Sequence, residues 1–130
     1  MKNKYGFGKI VLSSFEDALK KVKQELENEG FGILTEIDVA ATMKKKLNQE
    51  MLPYLILGAC NPHLAHRALE VDPSIGLLLP CNVVVRVDNQ DKVHVEFMDA
   101  GAVLELVNEP KIGPIAQEVG QRLERVMKTL

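Results

Sequence analysis

The chain has 130 residues, 46% hydrophobic and 26% charged, with a net charge of −2. That length suits a single domain, residues 1–130, with one sizeable core. The charge argues against a nucleic-acid partner, which calls for a basic excess. No apolar run approaches the roughly 20 residues that span a bilayer, so no membrane role is expected. The opening MKNKYGFGKI lacks the apolar stretch of a secretory signal. A cytoplasmic location follows, in which two cysteines serve as thiols or ligands more readily than as a disulfide. Their separation would still allow a disulfide loop to close.

Residues 5–12 read as a first strand, loosened by Gly6 and Gly8. Ser13 and Glu16 match a capping box, which opens a helix to about Glu29. Phe15, Ala18, Leu19, Val22 and Leu26 make its buried stripe. Gly30 suits the left-handed position after the helix. Residues 32–37 form a short second strand, and Asp38 caps a helix of about ten residues ending in Lys44, Lys45 and Lys46. Positive charge there complements the helix dipole; an anion-binding patch is the other reading.

Residues 53–59 (PYLILGA) are almost continuously apolar, the pattern of a central strand covered on both faces. Asn61 as N-cap and Pro62 at the first position open the next helix, which runs through Glu70. After an apolar run interrupted by Pro80, residues 82–87 and 93–98 flank a polar turn and predict a hairpin. Alternation puts Val93, Val95 and Phe97 on one face, with His94 and Glu96 on the other. A short helix over 102–107 and a terminal helix opened by Pro114 complete the chain. The terminal helix turns Ile115, Ala116, Val119, Leu123, Val126 and Met127 toward the core. The fold class expected is α+β, a mixed sheet with helices packed on it, in the order β-α-β-α-β-α-β-β-α-α.

Both cysteines and two of the three histidines fall within residues 57–82. Thiols and imidazoles bind soft metals and do nucleophilic or redox work near neutral pH. Cys60 ends a strand just before a helix start, where free N–H groups favour a thiolate. His63 and His66, one turn apart, could converge with Cys60 and Cys81 on a zinc ion in a Cys₂His₂ tetrahedron. If β-strands bring the Cys60-Asn61 and Cys81-Asn82 corners together, the two Asn amides could line a pocket between them. The expected site is therefore Cys60, Asn61, His66, Cys81 and Asn82. His66 should turn a ring nitrogen toward the sulfurs.

The same residues also have plainer readings. The spacing C-x₂-H-x₂-H with one distant Cys matches no standard zinc finger. The helical wheel puts Leu64 and Ala68 inward, and places His63 and His66 on the polar side with Arg67 and Glu70. Two solvated histidines and two inert buried cysteines satisfy that pattern. Turn and cap duty likewise accounts for the asparagines. Gly6-Phe7-Gly8 lacks the third glycine of a dinucleotide fingerprint. Glu36 and Asp38 could form a carboxylate pair, although capping alone explains Asp38.

The segments GFGILTEIDV (residues 30–39), LGACNPHLAHRAL (57–69) and IGLLLPCNVVVR (75–86) resemble the family catalogued as domain of unknown function 302. The resemblance covers almost the whole chain. It implies a small α+β domain with a curved sheet, often self-associating, and carries no agreed catalytic activity or functional residues. His63 lies at a position not characteristic of that family. The reading that results is a homodimer that binds a small molecule or a metal ion at the Cys-Asn corners. The alternatives are a thiol-based redox or nucleophilic enzyme, and a non-catalytic homo-oligomeric interaction module.

Overall fold

The computed structural model describes residues 1–130. Five strands form one sheet in the order β1-β5-β4-β3-β2. They are β1 (Gly6–Val11), β2 (Gly32–Asp38), β3 (Tyr54–Cys60), β4 (Cys81–Val87) and β5 (Val93–Met98). All four pairings are antiparallel, so the sheet is not mixed. Each connection between neighbouring strands returns the chain antiparallel; one of them is helix α2 (Val39–Leu47), between β2 and β3. It does not carry the chain across the sheet as a parallel crossover would. The element order otherwise follows the expected one. Helices α1 (Phe15–Asn28), α3 (Pro62–Val71), α4 (Ala100–Leu104) and α5 (Ile112–Thr129) occupy the remaining helical places.

The helix starts are set by side-chain caps. Asp38, Asn61 and Asp99 accept hydrogen bonds from the backbone N–H of Ala41, Leu64 and Ala102. Each thereby satisfies one free donor of a first turn. Helix α1 is capped by Ser14, whose Oγ accepts from Asp17 N at 3.1 Å, so the Ser13–Glu16 box does not form. Gly30 adopts φ +85° just after α1, the left-handed conformation that glycine enters without steric cost. Helix α4 starts two residues before the expected place because Asp99 caps it. Pro73–Leu78, apolar in sequence, is a 3₁₀ helix opened by Asp72.

Strand alternation divides the sheet into two unlike faces. Leu57, Ala59, Cys81, Val83, Val85, Val95 and Phe97 point toward α1, α3 and α5 and join one buried cluster with Val22, Leu26, Leu64 and Leu123. The hairpin β4–β5 keeps its expected core face and more polar face. Strand β3 is interior, bonded to β2 and β4, though the middle position belongs to β4. No helix contributes a buried residue to the opposite face. There Tyr54, Ile56, Val84, Arg86, His94, Glu96 and Met98 stay partly exposed. Ile10 and Ile37 on that face are each 48% exposed.

Candidate functional site

Strands β3 and β4 are neighbours, and their register aligns Ala59 with Cys81 and Gly58 with Asn82. The two Cys-Asn corners therefore lie at one end of the sheet. Parity then separates them. Cys81 has the parity of Val83 and Val85 and is buried under the helices. Asn82, one residue on, is exposed on the open face. Cys60 follows the buried Ala59, so its side chain takes the open-face parity and is half-buried. Asn61 has left the strand and is buried, its Oδ1 accepting from Leu64 N at 3.2 Å.

Cys60 and Cys81 both border a small cavity of about 30 Å³, walled by Phe31, Leu64, Leu79, Pro80, Leu104 and Val119. That volume admits one or two water-sized species and no organic molecule. Burial pushes the Cys81 thiol up to about 12, with the nearby Cys60 adding to the rise. Burial also raises the Cys60 thiol. Desolvation thus disfavours both thiolates, and both groups rest as neutral thiols near pH 7. Both cysteines are free, with no bond between them.

The histidines do not join this corner. His66 is 75% exposed at its side chain, and its Nδ1 stands 3.0 Å from Glu70 Oε1, one turn along the same helix. His63 is exposed at the helix start. No three His, Cys, Asp or Glu side chains stand close enough to share a metal ion. The third histidine, His94, has its Nε2 2.7 Å from Asp88 Oδ2, while Glu96 accepts a hydrogen bond from Arg86 Nε at 2.6 Å. The His94 contact and two backbone N–H groups, those of Lys92 and Gln90, pull the Asp88 carboxyl down to about 2. Glu36 is bonded to Lys23 and Asp38 caps α2, so those carboxylates serve separate ends.

Asn82 belongs to a different and larger concavity. A cleft of about 390 Å³ on the open face is lined by Tyr5, Tyr54, Asn82, Val84, Glu96 and Met98, with Met1, Asn3, Gly6, Phe97 and Val103 completing its rim. Three adjacent strands supply its floor. The segment before β1 supplies one wall, held by hydrogen bonds from Met1 N to Gly8 O and from Gly8 N to Met1 O. Tyr54 sits across the register from Arg86, close enough for its phenol to act on the guanidinium. Of the residues lining this cleft, Asn82 is among those expected from sequence, while Tyr54, Glu96 and Met98 are not. The available signal was alternation: these residues occupy the non-core positions of their strands.

The comparisons with known proteins agree with this architecture. A family model described as "Domain of unknown function DUF302" matches residues 8–130. A solved structure from Bacillus stearothermophilus, the "uncharacterized conserved protein DUF302", superposes with a TM-score of 0.88. The two chains are 25% identical, and the match covers 95% of each. No curated protein matches. No helix is long and apolar enough to cross a membrane. With nearly its whole length matched, the chain belongs to the DUF302 family.

Proposed function

We propose that the chain binds a small molecule on the open face of its sheet, at the Cys81-Asn82 corner. The observation that supports this reading most is the cleft itself. Its 390 Å³ lies in the size range of small-molecule sites, and it combines an apolar floor with a few polar groups. The Cys60–Cys81 cavity is more than tenfold smaller and holds two neutral thiols. The test is an amide NMR titration of the full chain with a library of small water-soluble compounds. Shifts clustered on Asn82, Val84, Glu96 and Met98 are expected. Shifts centred on Leu64, Cys81 and Val119, or none at all, would overturn the reading.

A second reading concerns assembly, and a separate observation favours it. The accessible surface is 7950 Å². A compact monomer of 14.5 kDa has about 6,900 Å². The excess of about 1,000 Å² fits a chain with one uncovered sheet face, and it is of the size one partner buries in a stable complex. A homodimer with two open faces in contact, related by a two-fold axis, would account for it; it would also cover the cleft, so this reading is an alternative to ligand binding there. On this reading, light scattering gives twice the monomer mass at micromolar concentration. Monomer mass under those conditions would remove this reading and leave the cleft untouched.

A further inference from the structure

The polar groups of the cleft differ sharply in how far the fold already satisfies them. Glu96 is ion-paired with Arg86 at 2.6 Å, and that pair is only partly exposed. The amine of Met1 at the rim donates to Gly8 O at 2.9 Å. No unpaired ionised side chain lines the cleft. The remaining charge is the Met1 ammonium at the rim, which would repel a cation and offers an anion only a position already bonded to Gly8 O. The Asn82 amide and the Tyr54 phenol make no side-chain hydrogen bond within the chain, and neither is buried. An amide offers a donor and an acceptor side by side. Val84 and Met98 make an apolar floor on a pleated sheet, with Tyr5 and Tyr54 as aromatic walls. Aromatic walls over an apolar floor favour a ring through offset or edge-to-face contact.

We infer that the cleft takes a neutral aromatic or heteroaromatic ring carrying an amide or an equivalent donor–acceptor edge, which pairs with Asn82 while the ring packs against Tyr54. This rests on the proposed ligand site and specifies its chemistry. The cleft accommodates one or two fused rings and little more, since drug-sized ligands fill sites of about 300–1,000 Å³. The groups facing the ligand are Asn82, the Tyr54 phenol and the free oxygen of Glu96.

The test compares four probes of similar size on the full chain by amide NMR: benzamide, cyclohexanecarboxamide, benzoate and benzylammonium. Benzamide should move the Val84, Glu96 and Met98 signals at millimolar concentration. It should bind about three- to tenfold more tightly than each of the others, the range expected for one aromatic contact or one hydrogen bond. Asn82→Ala should reduce benzamide affinity by a similar factor, with an unchanged amide spectrum away from the cleft. Tyr54→Leu should remove the preference for benzamide over its saturated analogue. If benzoate, benzylammonium or cyclohexanecarboxamide binds the cleft as well as benzamide, the ligand class is wrong while the site stands. If none of the four moves a cleft signal, the ligand class falls, and the library titration decides whether the site falls with it.

Discussion

Cys60-Asn61 and Cys81-Asn82 are the same dipeptide, each at the end of an apolar run, and the fold uses them in opposite ways. At the first corner the cysteine is half-buried and the asparagine is buried as a helix cap. At the second the cysteine is buried in the core and the asparagine faces the open side of the sheet. The difference comes from where each dipeptide falls against its strand. Cys60 is the last residue of β3, whereas Cys81 is the first residue of β4. A one-residue offset in a period-2 structure exchanges the faces of all side chains involved. A local motif therefore carries no fixed role until its parity is known.

The cysteines should separate most clearly. Cys81→Ser puts a hydroxyl into a site that is 5% exposed among apolar side chains. It should lower stability by about 1–3 kcal/mol in urea unfolding, the usual cost of an unsatisfied buried polar group. Cys60→Ser should stay within about 0.5 kcal/mol, as substitutions at partly exposed positions do. Equal effects at the two positions would break the comparison.

The asparagines should show the reverse order. Asn61→Ala removes the Leu64 cap and should cost about 1 kcal/mol. Asn82→Ala should leave stability within about 0.5 kcal/mol, because the residue is exposed. Gly30→Ala provides a related check, since an added Cβ would lie 2.9 Å from Asn61 Nδ2 in a left-handed backbone position. Thermal unfolding should place Gly30→Ala below the parent chain by about 1 kcal/mol or more.

Two pH effects sharpen the contrast between core and surface. The buried Cys81 thiol has a folded pKa of about 12, against 9.0 for an unperturbed thiol. The stability it confers is full below pH 9 and is lost as pH rises toward 12. Cys81→Ala should flatten that alkaline slope, measured by denaturant midpoints across the window. Asp88 behaves in the opposite sense, with a folded pKa of about 2 against 3.8. Its contribution is full above about pH 4 and is lost as pH falls toward 2. Asp88→Asn should weaken the acid slope there, by less than the alkaline change, because Asp88 lies near solvent.

Much of the fold is written in short-range signals. Asp38, Asn61 with Pro62, and Gly30 mark helix ends through local hydrogen-bonding and backbone conformation, and all three act at the positions read from sequence. The β4–β5 hairpin is legible because its alternation is regular. Residues 73–78 and the all-antiparallel pairing are less legible. Apolar composition cannot distinguish a 3₁₀ turn anchored by one buried residue, Ile75, from a strand, and pairing direction depends on contacts distant in sequence. Of the expected site, the two corners do lie at one end of the sheet and both cysteines border one small cavity, while Asn82 and the histidines lie apart from it. His66 sits on the polar side of α3, as the helical wheel indicates, and pairs with Glu70. Tyr54 and Glu96 join Asn82 only through the sheet order, which no local pattern encodes.

The most direct test of the parity argument is thiol labelling of the native chain. Iodoacetamide at pH 8, followed by digestion and mass spectrometry, reads each cysteine separately. Cys60 should alkylate slowly, as a raised and half-buried thiol does, while Cys81 stays unmodified until denaturant is added. Native labelling of Cys81 as fast as Cys60, or faster, would contradict the opposed orientation of the two corners.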